Sequence, residues 1–373
     1  MFNVRHAAGG SMGDSNRVLI MLNSHPLNTP AFGGATIAND TLILDNIKRI
    51  EIIRGPGSAL YGASAFLSVI NVITKEAEDI DGLELIARGG SWDTQQYNLL
   101  YGNTFDDLDV TFNFNYFKTH GYRAFIEEDF QTWVDQRWPD PYPDVSLAPG
   151  RTKGDDEKSD AQITLEYKGL KFDGRYIDRD RYHPVGQLAA LVKKSIDLTK
   201  DYYLNLSYER SMREEIDLLL RVYHNYEKVS GFYQSTPPGV TVFTPFPNPT
   251  PPPPLTTATY PDGMNYVYSS KNSRTGIELQ TTCTLSDSNT FLVGATYEEW
   301  KRFDIREGAN FLPTGIQGVL VPFQSIQEWP DELVMDTEKS WVSLNCIIFK
   351  RAASLSAACP KLSSDSCHLN PFS

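Results

Sequence analysis

The chain has 373 residues, a formal net charge of −13 at pH 7 and a hydrophobic content of 40%. This acidic balance argues against nucleic acid as a partner, because phosphate binding needs a concentrated basic surface. No apolar run approaches the roughly 18 residues that a transmembrane helix needs, which argues against a helical membrane protein. The composition still permits a membrane β-barrel, because barrel strands are only about half apolar.

Residues 1–77 contain three short, continuous apolar segments separated by linkers rich in Gly, Asn and Pro. The segments are Val18–Leu22, Ile50–Ile53 and Val69–Ile73. Continuous apolar strands of this length are usually buried on both faces of a sheet. The pattern therefore predicts a small packed domain of α/β or mixed-sheet type.

A glycine-rich turn joins the second apolar segment to the third. Gly55, Gly57 and Gly62 permit backbone conformations that are closed to other residues, so the chain is expected to reverse tightly here. A phosphate-binding loop is an alternative, but neither the Walker pattern nor a G-x-G-x-x-G turn is completed. The segment around Ser64 also misses the G-x-S-x-G pattern of a hydrolase by one residue. We therefore predict no catalytic residue.

From Gly82 onward, apolar residues recur at every second position. The clearest runs are 110–116, 161–167, 170–176, 202–208 and 277–280. Such alternation gives a strand one wet and one apolar face. Tight turns alternate with long links at about 119–159, 180–199, 229–272 and 303–337, as in membrane barrels. We predict about ten strands of a transmembrane antiparallel β-barrel over residues 80–350, and a soluble sandwich is the less favoured alternative.

The links and the reactive residue types carry weaker signals. Helical spacing of apolar residues over 185–196 predicts a short helix, and the proline-rich segments 133–144 and 237–254 predict stiff loops. The histidines, including His25, show no metalloprotease pattern and are expected in exposed loops or at the barrel rim. The four cysteines form no C-x-x-C pair, and the acidic segments lack EF-hand spacing, so no metal site is predicted.

Five blocks of the N-terminal region resemble, in order and spacing, the plug domain of TonB-dependent outer-membrane receptors. They are Asn16–Leu22, Pro26–Asn28, Leu44–Pro56, Ser58–Gly62 and Val69–Lys75. The resemblance implies a plug inside a barrel of about 22 strands, in the outer membrane of a Gram-negative bacterium. It also implies energy-coupled uptake of a scarce small-molecule or metal-chelate substrate, such as an iron-siderophore, haem or cobalamin. The implied partners are outer-membrane lipid and the TonB inner-membrane complex, with no cofactor and no enzymatic activity.

The resemblance also assigns roles to individual residues. The structural plug motif comprises Arg54, Gly55, Pro56, Ser58, Tyr61, Gly62, Asn71 and Lys75. The candidates that face the substrate lie on the loop Asn28–Asn39 and the turn Tyr61–Ser64, and they are Asn28, Thr29, Phe32, Tyr61 and Ser64. A purely structural role for both loops is the open alternative. Polar residues on the lumen face of the barrel are expected to hydrogen-bond the plug, namely Asn113, Thr164, Glu166, Asp173, Arg175, Glu278 and Gln280.

The sequence departs from the family pattern in three ways. We expect that the signal peptide, the TonB-binding segment and the first part of the plug are missing before Phe2. Asn23-Ser24 and Ser68 stand where the family usually has Asp-Gly and Gly, so the added Cβ atoms are expected to strain the backbone. Residues 351–373 lose the alternation, as a truncated or frameshifted tail would.

These departures predict a fragment of a receptor. Its parts are a plug remnant at 1–77, barrel strands at 80–350 and a non-native tail at 351–373. The alternative to a transporter is an inert truncated or frameshifted product, because an open half-barrel leaves unpaired edges that lipid does not tolerate.

Overall fold

In the residues that it describes, the computed structural model contains two main β-sheets, two short hairpins, and the two short helices named below. It describes residues 17–29, 34, 42–55, 57, 61, 64–137, 144–186, 189–244, 256–286, 289–313, 320–328 and 337–350. No helix in these segments is long and apolar enough to cross a membrane.

The first sheet, which we name the plug sheet, is built from the three predicted apolar segments. Its strands are β1 (Val18–Leu22), β2 (His25–Pro26), β3 (Ile47–Arg54) and β4 (Ser68–Thr74), with a 3-10 turn at Leu44–Asn46 before β3. Their order across the sheet is β2-β1-β4-β3. Strand β1 is parallel to β4, while the β1–β2 and β3–β4 pairs are antiparallel, so the sheet is mixed as predicted.

The two central strands of the plug sheet form its core. Strand β1 is buried at every position, and β4 is buried from Val69 to Val72. The prediction that the second apolar segment is buried on both faces is wrong, since Ile50 and Ile52 are 43% and 52% exposed. The reason is the position of β3 at the edge of the sheet, where it pairs with β4 alone among the described strands.

The second sheet, which we name the wall sheet, begins after helix α1 (Ala77–Ile80). A second helix, α2 (Phe130–Arg137), lies farther along the chain. The strands in chain order are β5 (Gly82–Gly90), β6 (Thr94–Phe105), β7 (Leu108–Thr119), β8 (Phe125–Ile126), β9 (Gly150–Arg151), β10 (Asp156–Tyr167), β11 (Leu170–Tyr182), β12 (Ile196–Arg213), β13 (Ile216–Gln234), β14 (Val240–Thr244), β15 (Thr256–Tyr260), β16 (Asn265–Ser286), β17 (Asn289–Pro313), β18 (Leu320–Glu328) and β19 (Thr337–Lys350). Eleven strands form the wall sheet, in the order β18-β17-β16-β13-β12-β11-β10-β7-β6-β5, with β19 also paired to β17. The remaining four strands form the hairpins β8–β9 and β14–β15.

Each wall strand presents alternating faces, as the period of two predicts. On β12, Tyr203 and Asn205 are 1% and 5% exposed, whereas Leu204 and Leu206 are 47% and 45% exposed. The outward face is apolar elsewhere too, at Leu220, Val222, Ile277, Leu279, Val293 and Tyr297. The buried inward face is polar, at Asn113, Asp160, Asp173, Arg175, Glu227 and Asn272. The predicted antiparallel barrel sheet is thus confirmed, with about the predicted number of strands.

The long links are shorter and more structured than the sequence predicts. Strand β13 continues to Gln234, β16 begins at Asn265, and the β14–β15 hairpin lies between them. The helix predicted over 185–196 is wrong, because Val185 forms a β-bridge to Leu191 and Ile196 already begins β12. Apolar spacing in that segment reflects the burial of Ala190, Leu191 and Val192, which are 1–2% exposed. The stiff loop predicted from Trp133 instead contains most of α2.

Candidate functional site between the plug and the wall

The β1–β2 turn of the plug sheet contacts the inward face of the wall sheet. Asn23 donates from Nδ2 to Asp173 Oδ2 at 3.3 Å, and the carbonyl oxygen of Ser24 accepts from Arg221 Nη1 at 3.2 Å. Asn23 and Ser24 have φ values of 49° and 65°, a region that favours glycine. The left-handed backbone expected to be strained at these two positions is therefore present, and both residues also contact the wall. Ser68 is not among the described residues with positive φ, so the strain expected there is absent.

His25, next to that turn, is a fully buried plug side chain at the interface. It is 0% exposed, it stacks on Tyr203 at 4.2 Å between ring centroids, and it meets the edge of Tyr223 at 5.7 Å. Its Nε2 accepts from Asn225 Nδ2 at 2.9 Å. Burial, reinforced by the charges of Arg274 and Arg221, lowers the pKa of His25 well below its usual value, so the imidazole is neutral at pH 7.

His25 contradicts the expectation that the histidines lie in exposed loops or at the rim. Sequence spacing did not identify its role, because its ring partners lie about 180 and 200 residues away in the chain. The signal that was available is local. A fully apolar strand followed by a turn and then by a polar ring indicates that the turn contacts another polar surface.

A second contact lies at the 3-10 turn before β3. Arg88 on β5 donates from Nη1 and Nη2 to the two carboxylate oxygens of Asp45, each at 2.6 Å. The hydrogen bond from Arg88 lowers the pKa of Asp45, and partial burial opposes that shift. The neighbouring Asn46 donates from Nδ2 to Gln162 Oε1 at 3.3 Å. The plug sheet is therefore fixed to the wall at two separate places.

The residues predicted to hydrogen-bond the plug divide into three groups. Asp173 does so directly, and Glu278 does so through Arg221, whose Nη1 lies 3.3 Å from Glu278 Oε2. Arg175 pairs with Asp160 within the wall, Thr164 bonds Asp173, and Glu166 pairs with Lys171 at the exposed end of the sheet. Asn113 is buried with no hydrogen-bond partner in the described segments, and no plug contact of Gln280 occurs there either.

Two described residues of the predicted plug motif contact the plug turn and the wall, and the structural role of the motif stays a prediction. Asn71 Oδ1 accepts from the backbone N–H of Ser24 at 2.9 Å and so supports the β1–β2 turn. Lys75 Nζ lies 3.5 Å from Glu84 Oε2 on β5. Arg54 is exposed at the end of β3, and Gly55 follows it with a φ of 101°, which supports the predicted tight reversal. Pro56, Ser58 and Gly62 lie outside the described residues.

The candidates predicted to face the substrate are not gathered in one place. Asn28 is 6% exposed, and its amide accepts from Ile20 N and donates to Val18 O, so it fixes the chain to β1. Thr29 is 9% exposed, Ser64 is half-buried, and Tyr61 is 38% exposed. Phe32 lies outside the described residues. Of the four candidates that the structure describes, Tyr61 alone presents a large exposed side chain, and the substrate-facing role of the set stays a prediction.

A small cavity separates the plug from the wall next to Asn28 and Thr29. Its other lining residues are Leu27, Asp201, Asn225, Glu227, Asn272, Ser273 and Arg274. The space admits about one or two water molecules, which is too small for any solute of siderophore size. It is a gap in the interface rather than a transport path.

Comparisons with known proteins agree with this arrangement. Residues 2–69 match the family model described as the TonB-dependent receptor plug domain. The vitamin B12 transporter BtuB of Vibrio vulnificus is 37% identical over 83 residues, which cover 22% of this chain and 13% of that protein. This match is local, so it concerns a limited part of both proteins.

Solved structures extend the likeness to most of the chain. The ferric citrate transporter FecA aligns with a TM-score of 0.54 and 13% identity, over 89% of this chain and 45% of that one. The ferric-catecholate import receptor Fiu of E. coli K12 aligns with a TM-score of 0.45 and 12% identity, over 91% of this chain and 61% of that one. At such identities the FecA alignment supports a shared fold alone. The chain spans about half the length of these two receptors. Residues 2–69 of the chain therefore match the plug domain of the TonB-dependent receptors, and the chain as a whole shares its fold with the ferric citrate transporter FecA.

Proposed function

We propose that this chain is part of an outer-membrane receptor that takes up a scarce, large solute in a TonB-dependent manner. The observation that carries the proposal is the plug sheet held against the polar inward face of the wall by Asn23, Ser24, His25 and Asp45. The plug is thus held by separate polar contacts and by one small apolar cluster of Leu22, Val72 and Tyr203, all of which are noncovalent and reversible. The step coupled to energy is therefore a rearrangement of the plug and involves no bond chemistry.

Placement in the outer membrane of a Gram-negative bacterium is supported by the faces of the wall sheet. Leu204, Leu206, Val222 and Ile277 are 45–47% exposed on the outward face, while charged and amide side chains fill the other face. Lipid favours this arrangement, because a membrane barrel has an apolar outer band and a polar interior. We infer that lipid is the partner of the outward face.

The proposed substrates are cobalamin, an iron-siderophore or haem. Cobalamin comes first because the local relative with 37% identity is named a vitamin B12 transporter. The named functions of the similar structures, ferric citrate and ferric catecholate import, keep iron chelates as the second class. The energy source is the TonB complex of the inner membrane, because residues 2–69 match the plug domain of TonB-dependent receptors.

A second candidate, an inert product, is favoured by one observation. Among the described strands, β5 pairs with β6 alone, and β18 and β19 pair with β17 alone, so both edges of the wall sheet carry unpaired backbone groups. Open edges in lipid are costly, because no water satisfies their N–H and C=O groups. A chain with such edges would aggregate or fail to insert.

The decisive experiment compares this chain with the complete reading frame read from the DNA on both sides. Each is expressed in Gram-negative cells that lack their own cobalamin and siderophore receptors, with and without TonB, and uptake of labelled cobalamin and ferric chelates is measured. TonB-dependent uptake by the complete frame supports the proposed receptor. If neither product supports uptake of any of these solutes while the protein is present in the outer membrane, the transport proposal is wrong.

A further inference from the structure

Two acidic side chains stand side by side on the inward face of the wall. Asp201 on β12 is directly opposite Glu227 on β13, and Glu227 is directly opposite Asn272 on β16. Directly opposed residues have Cβ atoms about 4.5–5.5 Å apart, and like charges in this position repel each other. Glu227 is 3% exposed, so water does little to screen the repulsion.

The same three residues line the cavity that separates the wall from the plug. Asn225 completes the wall side, and Leu27–Thr29 of the plug lie across the gap. Within the described segments, three buried oxygens that belong to this lining accept no hydrogen bond, namely Asn225 Oδ1, Glu227 Oε1 and Asn272 Oδ1. All three are acceptors. A buried acceptor without a partner is costly, so the site calls for a positive charge or for donors.

Two nearby arginines, of which Arg274 also lines the cavity, have polar partners away from these carboxylates, and the Nε of Arg302 is buried without a partner in the described segments. Arg274 donates from Nε to Glu298 Oε1 at 3.0 Å, and its guanidinium lies 5.2 Å from the Trp300 ring centroid. Arg302, opposite Asn272, donates from Nη2 to the Tyr268 hydroxyl at 2.7 Å. The amide Nδ2 of Asn272 bonds Glu227 Oε2 at 2.8 Å, which leaves the other carboxylate oxygen facing the cavity unpaired.

We propose that this cavity binds a calcium ion between Asp201 and Glu227, with the side-chain oxygens of Asn225 and Asn272 as neutral ligands. Two carboxylates balance the double charge. Amide oxygens and one or two waters are the further ligands that Ca²⁺ accepts at irregular geometry, whereas Mg²⁺ requires a near-ideal octahedron. The space, sized for about one or two waters, suits an ion with a bound water. The sequence predicted no metal site, because these ligands come from three strands and carry no linear motif.

The ion would join the wall to the plug, since Asn28 and Thr29 form the opposite side of the cavity. This inference is independent of the transported solute. It concerns how firmly the plug is held, and it remains testable if the uptake proposal fails.

The test is calcium binding by the full chain refolded in detergent micelles, measured by equilibrium dialysis with radioactive calcium. We expect one ion per chain with an affinity in the range of about 10⁻⁴–10⁻³ M or tighter. Glu227→Gln and Asp201→Asn keep the side-chain shape and should each weaken binding at least about tenfold. Glu166→Gln is the matched control, because Glu166 is a half-exposed carboxylate on the same sheet that pairs with Lys171. Far-UV circular dichroism checks that every variant keeps its strands.

A second measurement follows the plug itself. Hydrogen exchange of the β1 amides should speed up when calcium is removed from the parent chain and should not change in Glu227→Gln. Binding that is absent up to about 1 mM calcium would overturn the proposal, as would binding that both variants retain, which would assign the ion to the acidic loops. Absence of calcium binding would mean that the cavity holds water alone or that the two carboxylates share a proton.

Discussion

Replacing His25 by Ala removes the side chain that joins the plug turn to three wall residues. The ring is 0% exposed and lies 4.2 Å from the Tyr203 ring and 5.7 Å from the Tyr223 ring, measured between centroids. Each aromatic contact contributes about 0.5–1.5 kcal/mol, and the lost hydrogen bond to Asn225 adds about 1 kcal/mol. The expected loss of docking free energy is therefore about 2–4 kcal/mol, within the range of large-to-small core substitutions.

The assay is hydrogen exchange of the β1 amides in the detergent-refolded chain. Strand β1 is buried at every position, so its amides exchange when the plug leaves the wall or opens. A loss of 2–4 kcal/mol corresponds to exchange that is about 30- to 900-fold faster, because each 1.36 kcal/mol is a factor of ten. Amides of wall strands far from the plug should keep their rates.

The control is Lys48→Ala, which breaks the partly exposed ion pairs with Glu76 and Asp79, away from the His25 contacts, and should change β1 exchange little. A change of less than about threefold in His25→Ala would refute the reasoning. It would mean that the ring contacts do not limit plug release.

The remaining predictions concern pH, salt and lipid. The pKa of His25 is lowered in the docked state, so only the undocked state takes up a proton below pH 6.5. The protection factor of the β1 amides, which is corrected for the intrinsic pH dependence of amide exchange, should fall about tenfold per pH unit below that value, and His25→Ala should lack this dependence. The hydrogen bond from Arg88 lowers the pKa of Asp45, so Asp45 stabilises the docked plug at pH values above the usual pKa range of Asp. This stabilisation is lost as pH falls through the lower pKa that Asp45 has in the docked state. Arg88→Ala should give a small increase in β1 exchange at low salt that disappears at high salt, and an increase that persists would contradict a surface ion pair. Leu206→Arg should destabilise the chain in lipid by about 2–4 kcal/mol in urea titrations, while Leu206→Met should not, and equal effects would show that the outward face does not meet lipid.

The sequence alone predicted the parts of the fold that depend on local pattern. The three plug strands, the turn at Gly55 and the alternation of strands such as β10–β13 follow from runs of neighbouring residues. Such patterns decide which face of a strand is apolar, because successive side chains point to opposite faces. The resemblance of the plug blocks predicted the family in the same local way.

What the sequence missed depends on which strands meet. Exposure of β3 follows from its edge position, and burial of His25 follows from two tyrosines on other strands. The Arg88–Asp45 contact joins residues 43 apart in the chain, and the His25–Asn225 contact joins residues 200 apart. No spacing rule reaches such distances.

The sequence by itself determined that this protein has a small mixed sheet followed by an antiparallel wall with one apolar and one polar face. Only the tertiary structure decided which inward side chains hold the plug and which acceptors are left facing the gap. The physical reason is register. A strand's own residues fix its two faces, but the pairing of Asp201, Glu227 and Asn272 in one row is set by how three strands align.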